Sequence, residues 1–179
     1  MFKLQTCRLI LRDMRESDEA AFIALSQDSK YQRFYSEEDC DAEKYRQLTK
    51  LFIAQALEQP RKAYQLAIED TLTGQFIGTA CLRLEADQQA SIGCGLSRSS
   101  QGIGLIQEAM SALVEFGFSE LGVHRLYAET ISENLPAIKL CQTLGMVKEG
   151  HFREHRYFKH QWWDTVVYAI RVDEWQERH

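Results

Sequence analysis

Apolar residues recur with two different periods in the first third of the chain, and each period predicts a different element. Alternation over residues 4–12 predicts a strand. Ser17 precedes a helical spacing of apolar residues, so it is the expected N-cap of a first helix. A second apolar stripe predicts a helix over residues 40–57 that ends near Pro60, and Ser36 with Asp39 resembles a capping box before it.

Strand-like segments follow the second predicted helix. Residues 64–69 and 76–84 are joined by a segment with the composition of a hairpin turn, and residues 90–96 are expected to pair beside them. A long amphipathic helix over residues 104–121 ends at Gly122. The rest of the pattern predicts strand 124–131, helix 135–144, strand 146–153 and strand 162–172.

These elements predict an α+β fold in which a mixed sheet is wrapped by about four helices. The early strands are joined by short connections and should be antiparallel, whereas the later ones are joined by helical crossovers. A chain of 179 residues that is 45% apolar can bury one core, and no linker or repeat divides it. We therefore expect a single domain over residues 1–179.

Charge and composition exclude several classes of protein. A formal net charge of −5 argues against a general nucleic-acid binder and favours a cationic partner. The N-terminal segment has no signal-like apolar region, and no apolar run is long enough to cross a membrane, so a cytoplasmic location is expected. Five scattered cysteines without a Cys-x-x-Cys pair indicate reduced thiols and no structural metal.

Glycines mark the segment with the clearest chemistry. Gln101, Gly102, Ile103 and Gly104 form a turn between an apolar strand and the long amphipathic helix. Such a turn lets several N–H groups converge at a helix N-terminus, where an anion is favoured. The spacing therefore suggests a phosphate cradle, although a Gly-x-Gly before a helix is often a plain tight turn.

Separated motifs, taken in order, resemble the Gcn5-related N-acetyltransferases, in particular the branch of the ribosomal-protein alanine and serine N-acetyltransferases. The resemblance covers nearly the whole chain. It rests on TCRLILR at residues 6–12, IG at 92–93 followed by QGIGLIQEA at 101–109, LGVHRL at 121–126, ENLPAIKL at 133–140 with LGM at 144–146, GHFR at 150–153, and WDTVVY at 163–168.

The resemblance implies a mostly antiparallel sheet of about six or seven strands, in which two central parallel strands, around Cys94 and Tyr127, splay apart. Acetyl-CoA would lie in the splay, with its pantetheine arm along Gly95, Leu96 and Ser97. Transfer would pass directly from thioester to amine, with backbone N–H groups of residues 94–96 polarising the thioester carbonyl. The pyrophosphate would bind the amides of Gln101, Gly102, Ile103, Gly104, Leu105 and Ile106, and Asn134 would both cap a helix and lie beside the pantetheine.

The chain departs from the family pattern at three positions. Ile106 stands where the family has a small residue, so its β-branched side chain would crowd the loop unless it turns into the core. Ala137 stands where this branch has a serine, and Cys141 stands where other branches have the tyrosine that protonates the departing thiolate. Cys141 is either the proton donor or a buried residue of the core, in which case water suffices as donor.

A base is also expected, because a primary amine arrives protonated at neutral pH. The candidates are Glu129, at the end of the strand beside the splay, and His155 or Glu154, in the loop between the last two strands; each could instead be an exposed or paired side chain. Glu108 is expected to support its helix N-terminus, and Asp164 to orient the last hairpin.

The resemblance implies an acetyl-CoA-dependent N-acetyltransferase acting on a primary amine, either a protein N-terminal α-amine or a small-molecule amine. A non-catalytic acyl-CoA-binding module is the alternative; a nucleotide-binding protein is less favoured, since no Gly-Lys-Ser/Thr follows the turn. The chain is expected to be a monomer or a homodimer.

Acidic residues at 37–43 either begin a solvated helix or attract a cationic acceptor. Aromatic residues of the core and rim, some of which could line the acceptor site, are Tyr31, Phe34, Tyr35, Tyr157, Phe158, Trp162 and Trp163.

Overall fold

One eight-stranded sheet runs through the part of the chain that this computed structural model describes, residues 1–178. Its strand order is β1-β2-β3-β4-β5-β6-β8-β7. The strands are β1 (Lys3–Gln5), β2 (Leu9–Asp13), β3 (Ala63–Asp70), β4 (Phe76–Leu84), β5 (Gln89–Leu96), β6 (Arg125–Ile131), β7 (Val147–Phe158) and β8 (Gln161–Arg171).

Helices cover both faces of this sheet, so the expected α+β class is confirmed. They are α1 (Glu19–Gln27), α2 (Ala42–Gln55), α3 (Leu105–Ser119), α4 (Leu135–Thr143) and a short C-terminal α5 (Val172–Gln176). The described residues thus form one short α-helix more than expected, and several 3₁₀ turns connect the elements.

The strand count exceeds the expected six or seven because the first predicted strand reverses direction. Thr6 N–H donates to Leu9 O at 2.9 Å, and Leu9 N–H donates to Thr6 Oγ1 at 3.0 Å. These bonds close a turn, so residues 4–12 form the antiparallel pair β1 and β2 instead of one strand. Alternation continues through the turn, which is why the apolar pattern did not reveal it.

Two helix starts also differ from the prediction. The residue before α1 is Asp18, whose carboxylate accepts from Arg15 N–H at 2.8 Å, and Ser17 is not the cap. Ser36 Oγ accepts from Asp39 N–H at 3.0 Å, at a short 3₁₀ turn whose N-cap is Glu37, and Ser36 does not begin α2. The N-cap of α2 is Asp41, and α2 therefore begins after Cys40.

The two central strands run parallel and separate after a short paired stretch. β5 and β6 pair at Gln89 with Arg125, at Ala90 with Leu126 and at Ser91 with Tyr127. Beyond Ser91, β5 stays paired with β4 up to Leu96, while β6 stays paired with β8 up to Ile131. The sheet thus contains the expected splay, between its fifth and sixth neighbouring strands, at the C-terminal ends of β5 and β6.

Two apolar layers hold the splay in place. Along β3, Leu66 and Ile68 face the main core, which also buries Leu113 of α3 and Leu126 of β6, whereas Ala67 faces the opposite layer. Each fully buried leucine stabilises the fold by about 1.5–3 kcal/mol relative to exposure. The second layer packs α1 and α2 on the other face through Met14, Phe22, Leu25 and Tyr45.

Candidate functional site

The end of β5 presents free backbone groups to the splay. Ser97 N–H donates to Ile77 O of β4 at 2.7 Å. Because successive residues of a strand direct their N–H and C=O groups to opposite sides, the N–H groups of Cys94 and Leu96 point away from β4. They face the gap that β6 leaves, so an extended ligand with amide groups can pair with β5 there.

A tyrosine ring covers the same strand from the α1–α2 side. A Cβ built on Gly95 would lie 2.7 Å from Cε2 of Tyr31, so only glycine fits at this position. Tyr31 stacks on Tyr35 with ring centroids 5.2 Å apart, and its hydroxyl accepts from Tyr45 Oη at 3.3 Å. Burial, with smaller effects of the neighbouring phenols, raises the pKa of Tyr31, which therefore stays protonated and neutral.

The glycine turn has the backbone that a phosphate cradle requires. Gly102 has φ 84° and Gly104, the N-cap of α3, has φ 80°, both in the left-handed region that favours glycine. A Cβ on Gly102 would meet nothing within 4 Å, so its surface is open. The side chain of Gln101 donates to Leu96 O at 3.0 Å and braces the turn against the end of β5.

The amides behind this turn are available to an anion. The first intrahelical bond of α3 runs from Glu108 N–H to Gly104 O at 3.1 Å, so the N–H groups of Leu105 and Ile106 have no acceptor within the helix. The side chain of Ile106 packs against the main core and leaves the loop uncrowded. The residues present thus fit a pyrophosphate, with free N–H groups and open glycines at a helix N-terminus.

Glu108 supports the N-terminal region of α3, as expected, by joining it to the turn between β1 and β2. Its carboxylate accepts from Thr6 Oγ1 at 2.6 Å, from Arg8 N–H at 2.8 Å and from Arg8 Nε at 2.7 Å. Partial burial would raise the pKa of Glu108, but these hydrogen bonds and the charge of Arg8 together hold it below the usual value. Glu108 is therefore a carboxylate at neutral pH.

A small polar cavity of about 110 Å³ lies where β6 turns into α4, on the side of the α1–α2 connection. Glu129, the candidate base, lines it, is exposed, and has no hydrogen-bond or ion-pair partner among residues 1–178. A free carboxylate at this place can bind an ammonium group or take up its proton. The lining residues are Phe34, Tyr35, Asp39, Glu129, Thr130, Ile131, Asn134, Arg156 and Thr165.

The other acidic residue of this cavity is already paired. Asp39 accepts from Lys44 Nζ at 2.5 Å, and its second oxygen lies 3.7 Å from Arg156 Nη2. Burial acts to raise the pKa of Asp39, but the hydrogen bonds from Lys44 and Ser36 hold it below the usual value. In the rest of the acidic run, Asp41 caps α2 and Glu43 pairs with Arg46 at 2.8 Å.

Asn134 caps α4 and also faces this cavity. Its Oδ1 accepts from Ala137 N–H at 3.5 Å, and its Nδ2 donates to Thr130 Oγ1 at 3.1 Å. Pro136 follows within the first turn, where its missing N–H costs nothing. The capping half of the expected double role is confirmed.

His155 does not lie in a loop, because β7 runs on to Phe158. It sits within β7 where the pairing register shifts between Phe152 and Arg156. The extra residues of this bulge are unpaired and interrupt the alternation of apolar and polar side chains. The pattern in the sequence therefore predicts a strand that ends at residue 153, before His155. His155 Nδ1 lies 2.7 Å from Thr165 Oγ1, and Thr165 lines the cavity, so the imidazole is connected to it through one hydroxyl.

Glu154 and Asp164 shape the same bulge. Glu154 belongs to β7, not to a loop, and has φ 48°. Its N–H donates to Asp164 Oδ1 at 2.8 Å, while Asp164 Oδ2 contacts His151 Nε2 at 2.7 Å. The hydrogen bond from Glu154 N–H and that from His151 lower the pKa of Asp164. Asp164 therefore orients the hairpin through the backbone, as predicted.

Cys141 is part of the main core. It is 6% exposed on α4, and burial raises the pKa of its thiol to about 11. Burial likewise raises the pKa of Cys94, on β5, to about 12. Both thiols are neutral near pH 7, and a donor with such a pKa releases its proton to a thiolate less readily than an ordinary cysteine would.

The aromatic residues divide between the cavity, a small core and the surface. Phe34 and Tyr35 line the cavity, while Phe158 and Trp163 stack at 5.1 Å and bury a small cluster with Ile131. Tyr157 and Trp162 are both 59% exposed.

Three contacts or lining roles escaped the sequence analysis: the contact of Tyr31 with Gly95, and the positions of Arg156 and Thr165 at the cavity. Tyr35 and Asp39 appeared only as members of larger aromatic and acidic sets. Arg156 and Thr165 carry no local signal, because their position depends on the bulge in β7.

A second cavity, of about 550 Å³, opens on the α1 face near residues 97–99. Its walls mix small apolar residues of α1 with Phe76, Asp28 and Arg98. Ser97, directly after β5, is among its lining residues, whereas the free carboxylate of Glu129 is not. Among residues 1–178, no three acidic, histidine or cysteine side chains are grouped as metal ligands, and no helix has the length and apolarity of a membrane span.

Comparisons with known proteins agree with this geometry. The family model for the acetyltransferase (GNAT) domain matches residues 8–147. An uncharacterised N-acetyltransferase, YoaA of Bacillus subtilis, is 31% identical over 93% of this chain and 95% of its own.

Two solved structures share the fold. The ribosomal-protein-S5-alanine acetyltransferase of Vibrio fischeri superposes with a TM-score of 0.80 at 19% identity, covering 98% of this chain and 99% of that one. The spermidine N-acetyltransferase of Vibrio cholerae, solved with CoA and spermine, gives a TM-score of 0.82 at 20% identity, covering 96% and 99%.

Proposed function

The chain belongs to the GNAT acetyltransferase family, and from that premise we propose that it transfers an acetyl group from acetyl-CoA directly to a primary amine. The observation that carries the proposal is the meeting of three features at one place. The splayed β5 backbone, the glycine turn before α3 and the unpaired Glu129 are positioned by neighbouring ends of the two parallel strands.

The donor is held by backbone groups. We assign the pantetheine arm to residues 94–97, where the N–H groups of Cys94 and Leu96 point into the splay, and the pyrophosphate to the amides of residues 101–106. Acetyl-CoA supplies an activated acetyl group as its thioester. The Cys94 and Leu96 N–H groups, which point into the splay, are the candidates for polarising the thioester carbonyl. A spermidine acetyltransferase of the same fold was solved with CoA, which supports this assignment.

The amine has to lose a proton before it attacks. Glu129 faces the cavity without a partner and is the proposed acceptor of that proton, directly or through water. His155 is the second candidate, because it reaches the cavity through the Thr165 hydroxyl. The amine nitrogen then bonds to the acetyl carbon as the carbon–sulfur bond breaks.

The CoA thiolate takes up a proton after the carbon–sulfur bond has broken. Cys141 is the only family-aligned candidate for this donor that the sequence offers, and its raised pKa and packing in the main core favour water instead. A thiolate near neutral pH is a good leaving group, so a weak donor suffices. Asn134 is proposed to hold the pantetheine side of the site through the same cap that begins α4.

The acceptor is proposed to be a protein N-terminal α-amine, as in ribosomal-protein acetylation, or a small-molecule amine. Similar folds serve both acceptor classes, a ribosomal protein in one relative and spermidine in another. The cavity carries one free carboxylate and the paired Asp39 and Arg156, so it offers a cationic group one strong partner.

The proposal is tested by turnover with a panel of amines. Purified protein is mixed with acetyl-CoA and with peptides bearing free N-termini, polyamines and amino sugars, and both free thiol and acetylated product are measured by mass spectrometry. Acceptor-dependent thiol release with one acetyl group per product supports the proposal. CoA binding without turnover on any amine would instead favour the non-catalytic acyl-CoA-binding module.

A further inference from the structure

Arg8 joins three distant segments beside the glycine turn. Its Nε donates to Glu108 Oε2 at 2.7 Å, and its Nη1 donates to Ile103 O at 3.0 Å. Its own backbone is held on both sides, since Arg8 N–H donates to Glu108 and Arg8 O accepts from Thr71 N–H at 3.0 Å. The guanidinium is thus placed at the turn by hydrogen bonds rather than left free in solvent.

One end of this guanidinium remains unused. Nη2 has no hydrogen-bond acceptor among residues 1–178, and it is the one heavy atom within 4 Å of the position a Cβ on Gly104 would take, at 3.7 Å. The side chain is 45% exposed. Two donor hydrogens therefore point toward the surface of the turn at Gly104, the N-cap of α3.

The neighbouring carboxylate makes this charge necessary. Glu108 is ionised and lies in the first turn of α3, close to the amides that are assigned to the pyrophosphate. A carboxylate there repels a second anion, and its pairing with Arg8 removes most of that repulsion. The same residue that ties α3 to the β1–β2 turn would otherwise oppose binding at the N-terminus of α3.

We propose that Arg8 is a positioning residue for the phosphate-binding turn: it neutralises Glu108, holds the Ile103 carbonyl away from the anion and presents Nη2 to a CoA phosphate. The inference rests on the proposed function, because it concerns the same cofactor. It adds a side chain on the β1–β2 turn to a site otherwise built from backbone.

Charge and geometry can be separated by substitution. Arg8→Gln leaves the Glu108 charge uncompensated and should weaken CoA binding at least tenfold. Arg8→Lys keeps the charge without the fork of donors, so binding should be intermediate. In Arg8→Gln/Glu108→Gln the repulsion is absent but the Nη2 contact is lost as well, so we expect CoA affinity between that of Arg8→Gln and that of the parent. Arg46→Gln is the matched control, since its side chain is 47% exposed and also pairs with a glutamate.

The test measures binding by calorimetry, with CoA and with pantetheine, which lacks every phosphate. Pantetheine affinity should be equal in the parent, Arg8→Gln and Arg46→Gln, because the effect of Arg8 acts through the phosphates. Thermal unfolding of each variant establishes that it is folded. Should Arg8→Gln not fold, Arg8→Lys and the double variant carry the same comparison.

The outcomes separate the two proposals. Equal CoA affinity of folded Arg8→Gln and parent overturns the role of Arg8. An equal loss of affinity for CoA and for pantetheine in Arg8→Gln, or a double variant that binds CoA no better than Arg8→Gln, overturns it as well. A parent that binds no CoA overturns the proposed function itself.

Discussion

The ring of Tyr31 closes the space above Gly95, where a Cβ would lie 2.7 Å from Cε2 of the ring. This contact links the aromatic layer of the α1–α2 side to the strand whose free amides face the splay. The Tyr31 side chain, which comes from the acceptor side, therefore packs directly on the C-terminal end of β5. This contact connects the acceptor cavity with the strand to which acetyl-CoA is assigned.

Substituting Gly95 should reveal this link. Gly95→Ala forces the Tyr31 ring or β5 to move, and we expect a loss of about 1–3 kcal/mol in the free energy of unfolding, typical of overpacking. Urea denaturation measures it. In a Tyr31→Ala background the added cost of Gly95→Ala should nearly vanish; equal costs in both backgrounds would show that the contact is unimportant.

Glu129 is expected to act on the amine and not on the cofactor. Glu129→Gln removes the charge from the one unpaired carboxylate of the cavity, so kcat/KM for the acceptor should fall by about 10². Calorimetric affinity for acetyl-CoA should stay unchanged. Glu115→Gln, an exposed carboxylate on α3, is the control. Parental kcat/KM in Glu129→Gln would show that Glu129 is not the base and would favour His155 or solvent in that role.

Cys141 is expected to matter more for stability than for turnover. Cys141→Ala should keep kcat within tenfold of the parent and cost about 1 kcal/mol of stability near pH 8. A loss of about 10² in kcat with unchanged acetyl-CoA affinity would instead establish Cys141 as the proton donor.

The stability difference should also depend on pH. The folded thiol has a pKa of about 11 against an ordinary value of 9.0, so the folded state holds the proton more tightly. This contribution is complete below pH 9 and is lost as the pH rises toward 11. The gap in unfolding free energy between parent and Cys141→Ala should therefore shrink from pH 8 to pH 10.5; a constant gap would contradict the buried neutral thiol.

Asp39 tests whether the acidic run attracts the acceptor. Asp39→Asn removes a carboxylate of the cavity that pairs with Lys44 and lies near Arg156. We expect a higher KM for a cationic acceptor, an unchanged KM for acetyl-CoA, and a weaker response of the acceptor KM to salt, because screening acts over about 10 Å at 0.1 M. Glu43→Gln serves as the comparison in the same run. Identical salt responses in Asp39→Asn and parent would indicate that the acidic residues at 37–43 serve only to begin the helix and do not attract the acceptor.

Much of the fold follows from local patterns. The helix over residues 105–119 and the strand over 76–84 lie within two residues of their predicted bounds, because a long apolar period or a hairpin turn marks them. The prediction was wrong at Thr6 and in β7. Alternation persists through the tight turn at Thr6, and the bulge before Arg156 interrupts alternation inside a continuous strand.

The candidate site was predictable only where its chemistry is local. Gly102 and Gly104 signal their own backbone conformation, and Asn134 before a proline signals its own cap. The contact of Arg8 with Glu108 joins residues 100 positions apart, and the cavity brings Asp39 together with Arg156 across the sheet. Such pairs depend on how helices, turns and strands that are distant in the sequence pack together, which no single segment of sequence contains.

The central claim, that acetyl-CoA binds at the turn before α3, is tested most directly by comparing two glycine variants. Gly104 and Gly74 both have positive φ, of 80° and 67°, and a Cβ at either position meets no backbone within 4 Å. Valine therefore adds similar strain at both, but only Gly104 lies at the proposed phosphate site. Calorimetry should show that Gly104→Val loses at least tenfold in acetyl-CoA affinity, about 1.4 kcal/mol, while Gly74→Val binds like the parent. Parental affinity in folded Gly104→Val, or an equal loss in both variants, would contradict the account.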